Sequence, residues 1–77
     1  MKLNEVLETV MNEQGMTQVR MGRQLNVSRQ ALHQRVKRDS MRTNELIDIL
    51  DVLDYDLVIQ PKGSRLVNGA LKIERGE

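Results

Sequence analysis

The chain has 77 residues and a formal net charge of +1, with one tyrosine and no phenylalanine, tryptophan or cysteine. A chain this short forms one small domain, and with a single aromatic residue its modest core must be built from leucine, isoleucine, valine and methionine. The absence of cysteine excludes disulfides, thiolate metal sites and a cysteine nucleophile, and the longest aliphatic run, Leu57–Ile59, is far too short for a membrane span.

Two predicted helices open the chain. Apolar residues at helical spacing predict a first helix over roughly 2–13, which Gly15 ends. Thr17 is a good N-cap for a second helix, which contains Gly22. Asn26 ends that helix, because asparagine tolerates the left-handed conformation that a sharp turn requires.

Two further helices are predicted after this turn. Ser28 caps a third helix, and a loop follows at residues 39–42. Asn44 or Thr43 then caps a fourth helix, whose apolar face packs inward. The outer face of the fourth helix is predicted to be solvated and acidic, with Asp48, Asp51 and Asp54.

A short β arm is predicted after the fourth helix. Leu57–Ile59 has the pattern of a strand. Asn68-Gly69 is a strong signal for a two-residue hairpin turn, which would place Leu66 opposite Leu71. We expect residues 74–77 to be frayed.

Charge is segregated along the chain. Residues 17–42 carry seven basic residues against one acidic residue, a net charge of +6. Residues 43–56 carry five acidic residues and no basic one, a net charge of −5. This separation favours a polyanion as the partner of the basic segment, whereas the alternative is a solvated helical surface with accidental clustering.

The stretch 17–35 combines two short helices with a tight turn. Gly22 lies in mid-helix, where glycine costs about 1 kcal/mol relative to alanine, which is understandable if the two helices approach closely there. The third helix offers a polar face on which arginine matches guanine and glutamine matches adenine in the major groove of DNA. The predicted base contacts are Arg29, Gln30, His33 and Gln34.

This stretch resembles the phage repressor and Cro family of helix-turn-helix proteins, also called the xenobiotic response element family. The resemblance covers about residues 17–60. It is carried by Gln18, Gly22, the corner Asn26-Val27-Ser28 and Arg29-Gln30. Two positions depart from the family, because the turn residue there is usually glycine and the position of Arg35 is usually apolar. Either the stem of Arg35 covers the edge of the core or the third helix is slightly rotated.

The resemblance implies an all-α, four-to-five-helix, lambda-repressor-like DNA-binding domain with a short C-terminal β arm or hairpin. The helical domain is expected over 1–55, with the helix-turn-helix motif at 17–36, and the β arm over 56–77. In that family the glutamine at the position of Gln18 binds backbone phosphate and braces the recognition helix. The positions implied to contact bases are those of Arg29, Gln30 and Gln34.

Contacts to phosphate position a protein on DNA and carry no sequence information. Basic side chains around the third helix and backbone amides at the start of the fourth suit this role. The predicted phosphate contacts are Thr17, Gln18, Arg20, Arg23, Lys37, Arg38, Arg42, Thr43 and Asn44.

A homodimer is expected, because a short apolar strand needs partners for its backbone groups and side chains. Two copies that pair through the arm would present their third helices about 34 Å apart to a near-palindromic operator. The predicted dimer interface consists of Ile49, Val52, Tyr55, Leu57, Val58 and Ile59.

These features predict a cytoplasmic, sequence-specific regulator of transcription, a repressor, that binds double-stranded DNA without a cofactor, a metal or a membrane. The alternative is an antitoxin or inhibitor module of the same fold, with a protein partner that binds residues 62–77. The near absence of aromatic side chains for base stacking argues against an RNA-binding module. No constellation of residues supports an enzyme, and His33 is the only histidine.

Overall fold

Four helices and a small β ribbon make up the fold. The computed structural model describes residues 1–38, 40–63 and 70–76. The helices are α1 (Leu3–Gln14), α2 (Gln18–Leu25), α3 (Arg29–Lys37) and α4 (Thr43–Val52), and strands β1 (Leu57–Ile59) and β2 (Leu71–Ile73) follow them. This order confirms the predicted helical class with a short β element at its end. None of the helices in these ranges is long and apolar enough to cross a membrane.

Three helices end with the same backbone geometry. Gly15, Asn26 and Asp54 have left-handed φ values of 65°, 57° and 62°. The residue after each one donates its N–H, at 2.8 Å, to a carbonyl five residues earlier: Met16 to Met11, Val27 to Gly22, and Tyr55 to Leu50. This Schellman-type ending satisfies carbonyls that the helix would otherwise leave open. The predicted helix ends at Gly15 and Asn26 are confirmed. Asp54 has the same role, although the sequence analysis assigned it only to the solvated acidic face of the fourth helix.

The predicted N-caps of α2 and α3 are confirmed. Thr17 Oγ1 accepts the backbone N–H of Arg20 at 3.1 Å, and Ser28 Oγ accepts that of Ala31 at 3.1 Å. Each hydroxyl satisfies one of the amides that the first helical turn leaves without a partner. The two helices are therefore fixed at the ends that flank the turn between them.

The predicted N-cap of α4 is wrong. The helix begins at Thr43 with Arg42 at the N-cap, so Thr43 and Asn44 both lie inside the first turn. The Glu45 carboxylate accepts the Arg42 N–H at 3.1 Å. A glutamate at the third helical position thus satisfies the backbone N–H of the residue that precedes the helix.

The core of the described residues is entirely aliphatic, as the composition predicts. Leu7, Met21, Leu32 and Leu53 are completely excluded from solvent, and Tyr55 is 45% exposed. The buried cluster draws on all four helices and consists of Leu7, Val10, Met11, Met21, Leu32, Val36, Ile49 and Leu53. Ile49 is only 1% exposed, so its predicted place in a dimer interface is wrong. Its side chain packs among the helices of its own chain.

Gly22 lies where the turn after α2 comes back against that helix. A β-carbon at this position would lie 2.7 Å from the carbonyl oxygen of Val27. In addition, the Val27 N–H donates to the Gly22 carbonyl at 2.8 Å. The close approach that the glycine predicts is therefore confirmed, and its partner is the backbone of the turn that leads into α3.

Gly22→Ala is expected to lower the free energy of unfolding by about 1–3 kcal/mol, because a backbone carbonyl cannot rotate away from the added methyl group. This loss outweighs the ~1 kcal/mol of helix propensity that alanine contributes. Urea denaturation followed by circular dichroism measures the change. Gln24→Ala, at an exposed position of the same helix, is the control and should shift stability by less than about 0.5 kcal/mol. A Gly22→Ala protein as stable as the wild type would contradict this account.

The two strands form an antiparallel ribbon. Its register pairs Leu57 with Ile73, Val58 with Lys72, and Ile59 with Leu71. One edge of β1 therefore pairs with β2 of the same chain, whereas the sequence predicted that β1 pairs with a second copy. The predicted turn at Asn68-Gly69 and the predicted partner of Leu71, Leu66, lie outside the described residues.

Residues 74–76 lie against α4. The Asn44 side chain accepts the Gly76 N–H at 2.8 Å and donates to the Gly76 carbonyl at 3.2 Å. Arg75 Nε donates to Asp48 Oδ1 at 2.9 Å. The prediction of a frayed end is wrong for Arg75 and Gly76, because the side chains of α4 supply hydrogen-bond partners that local sequence does not reveal.

Candidate nucleic-acid interface

One face of α3 is polar and exposed. Leu32 and Val36 hold the opposite side of the helix in the core, at 0% and 2% exposure. α3 packs against α1 and α2, which leaves the polar side uncovered by them. All four residues predicted to contact bases are exposed, and we call them the α3 polar face: Arg29, Gln30, His33 and Gln34.

Gln18, the first residue of α2, contacts the α3 polar face. Its Oε1 lies 3.2 Å from His33 Nδ1, so the imidazole donates to the amide when its hydrogen is on Nδ1. The family resemblance implies that a glutamine here braces the first residues of the recognition helix. The contact in this chain instead reaches His33, one turn further along α3.

Thr17 and Arg20 take part in contacts at the start of α2. Thr17 accepts the Arg20 N–H, and Arg20 Nη1 donates to the Gly15 carbonyl at 3.2 Å. Arg20 and Arg23 are both exposed. Because a guanidinium has five N–H donors, the bond to Gly15 leaves Arg20 able to donate to a phosphate.

More basic residues surround the end of α3 and the start of α4. Lys37, Arg38, Arg42 and Thr43 are exposed. Asn44 differs from them, since both atoms of its amide group are engaged by Gly76. Its predicted phosphate contact depends on the backbone amide in the first helical turn, and its side chain instead anchors the C-terminal segment.

Arg35 accounts for the unusual position in the family resemblance. Its Nε lies 2.7 Å from Glu45 Oε2, and its side chain is 31% exposed. Leu32 and Val36 both lie in the core on either side of Arg35 in the sequence. The partial burial of Arg35 and its pairing with α4 agree with a stem that covers the edge of the core.

Three acidic residues in the second half of the chain have basic partners from other elements. Glu45 pairs with Arg35, Asp48 pairs with Arg75, and Asp56 pairs with Lys72 at 3.3 Å. The prediction of a purely solvated acidic face is therefore wrong for Asp48. Sequence reasoning missed these pairs because each joins residues from separate elements, and only the packed fold brings them together.

Apart from the buried Ile49, the predicted dimer-interface residues fall into two groups. Tyr55 and Val58 are each 45% exposed, and Ile59 is 55% exposed. Val52 and Leu57 are half-buried against their own chain. Leu71, which the sequence prediction did not include, is 66% exposed and lies opposite Ile59 in the ribbon.

No group of three or more histidine, cysteine or acidic residues suited to a metal ion occurs among residues 1–38, 40–63 and 70–76. Comparison of the chain with protein-family models, with curated proteins and with solved structures finds no match. A functional assignment therefore depends on the α3 polar face and on the basic residues around it.

Proposed function

We propose that this protein is a sequence-specific regulator of transcription, a repressor with a lambda-repressor-like fold, that binds double-stranded DNA. The observation that carries the proposal is the α3 polar face. The major groove is about 12 Å wide and admits a helix with its side chains. Arg29 suits guanine O6 and N7, and Gln30 and Gln34 suit adenine N6 and N7.

The charge around α3 supports a duplex as the ligand. Arg20 and Arg23 lie on α2. Arg38 is the C-cap of α3 and Arg42 is the N-cap of α4, so basic residues flank α3 on both sides in the chain. Contacts from both sides would fix the orientation of the helix in the groove. The pairing of Glu45 and Asp48 with arginines lowers the repulsion that unpaired carboxylates would exert on a polyanion.

The β ribbon supports a dimer as the binding species. Leu57 and Ile73 share one ribbon face and, with α4, line a small cavity of about 180 Å³. Ile59 and Leu71 form the next cross-strand pair on that same face, yet they are 55% and 66% exposed. This uncovered apolar pair suits contact with the same pair of a second copy about a two-fold axis.

Selection of bound fragments from a random duplex library tests the proposal. We expect enrichment of a near-palindromic site whose half-sites are separated by about one helical turn of DNA, because a two-fold dimer presents two copies of α3. Sedimentation of the protein at the concentrations that bind DNA should give the mass of a dimer. A single unpaired half-site together with a monomeric mass would reject the dimer, and a pool without enrichment would reject sequence-specific binding.

The exposed Ile59–Leu71 pair also suits a protein partner, which is the alternative of an antitoxin or inhibitor module. The two functions make different demands on the α3 polar face. If protein binding is the main function, alanine substitutions at Gln30 and Gln34 leave the phenotype of the chain in its host unchanged. If DNA binding is the function, the same substitutions abolish regulation.

A further inference from the structure

An open groove of about 870 Å³ lies beside the end of α3, and a residue from the C-terminal segment lines it. The walls come from the end of α3, the chain at residues 40–42 and the first turns of α4. We call this the arginine groove, after the four arginines that line it: Arg35, Arg38, Arg42 and Arg75.

Two of these arginines are held in the same way by one face of α4. Arg35 Nε lies 2.7 Å from Glu45 Oε2, and Arg75 Nε lies 2.9 Å from Asp48 Oδ1. Glu45 and Asp48 are three residues apart and so are neighbours on the surface of α4. A guanidinium held at Nε keeps donors on its terminal nitrogens, which are suited to the oxygens of a phosphate.

The groove has an excess of positive charge. Among the described residues that line it, four arginines face two carboxylates, Glu45 and Asp48, which gives these residues a net charge of +2. The side chain of Arg75 is 56% exposed, and Arg38 and Arg42 are exposed as well. The groove therefore favours an anion, and arginine forks are well matched to phosphate geometry.

The groove adjoins the α3 polar face. The Arg38 N–H donates to the Gln34 carbonyl at 3.1 Å, so Arg38 follows Gln34 by one helical turn on the same side of α3. The two hydrogen bonds between Asn44 and Gly76 hold the C-terminal segment in place next to Arg75. A duplex that lies on the polar face would bring its backbone to the groove.

From these observations we propose that Arg75 is a phosphate-contacting residue, which with Arg38 and Arg42 binds one backbone phosphate of duplex DNA in the arginine groove. The proposal rests on the proposed function and extends the DNA-binding surface to the C-terminal segment. That segment then takes part in binding, rather than only packing against α4.

The test measures binding of a mixed-sequence DNA duplex as a function of salt concentration. Arg75→Gln is expected to reduce the slope of log K against log salt by about 0.9, because one phosphate contact is lost. The same change makes binding about eightfold weaker at about 0.1 M salt, if the two lines converge at about 1 M. Thermal unfolding of each variant establishes that the fold is retained.

Two further variants separate a phosphate contact from other effects. Lys72→Gln removes the same charge three residues earlier, in β2. Because Lys72 pairs with Asp56 and does not line the groove, the salt slope of this variant should match that of the wild type. Asp48→Asn removes the ion pair of Arg75 but leaves the charge of Arg75 in place. The slope of log K against log salt for this variant should therefore not fall.

The outcomes distinguish this inference from the proposed function. A wild-type protein that binds duplex DNA without salt dependence would overturn both. Salt-dependent binding by the wild type with an unchanged slope for Arg75→Gln would overturn only the role of Arg75. An equal fall of the slope for Lys72→Gln, or for Asp48→Asn, would also overturn that role, because it would indicate a general charge effect or a purely structural anchor.

Discussion

Leu32→Ala is expected to lower the free energy of unfolding by about 2–5 kcal/mol. Leu32 is fully buried within the cluster that joins all four helices, so its truncation leaves a cavity that the surrounding side chains fill only in part. A domain of this size has a total stability of roughly 5 kcal/mol, so a loss near the upper end of this range would leave the variant largely unfolded at 37 °C. Urea denaturation at low temperature measures the loss.

Val6→Ala is the matched control for Leu32→Ala. Val6 lies in α1 at 39% exposure, and its truncation opens no buried cavity. We expect it to change stability by less than about 1 kcal/mol. If both variants lost the same stability, the position of Leu32 in the core would be refuted, and with it the anchoring of α3 by its apolar side.

Alanine substitution at Arg29 or Gln30 is expected to weaken binding to the selected duplex by about 1–3 kcal/mol for each residue. Arg29 offers two donors to one guanine, and Gln30 offers a donor and an acceptor to one adenine. The preference at that single base pair should therefore relax while the other positions of the site remain specified. Competition between the selected duplex and its single-base variants measures the change.

Arg23→Gln provides the contrast for these variants. Arg23 is exposed on α2 rather than on α3, and it belongs to the predicted phosphate contacts. Its loss is expected to weaken all duplexes alike and to leave the order of preference among them intact. If Arg29→Ala and Gln30→Ala behaved in the same way as Arg23→Gln, the assignment of α3 as the recognition helix would be wrong.

The sequence alone determined the helix ends around the turn and the polar side of α3. Thr17 and Ser28 cap the helices with their own hydroxyls, and Asn26 adopts the left-handed conformation that asparagine tolerates. These features depend on residues within a few positions of one another. Helical periodicity then fixes which side of α3 is apolar, so the exposure of Arg29, Gln30, His33 and Gln34 follows from local pattern as well.

The partners of charged and apolar groups that are distant in sequence follow from the packing of the helices and strands. The acidic half of the chain gave no sign that Asp48 would pair with Arg75, or that Asn44 would hold Gly76. Periodicity likewise could not exclude Ile49 from an interface, because an apolar residue on a helix can face its own core or a second chain. Such contacts depend on how whole elements pack in three dimensions, and spacing along the chain does not encode that packing directly. The arginine groove is one consequence, since it exists only where α3, α4 and the C-terminal segment meet.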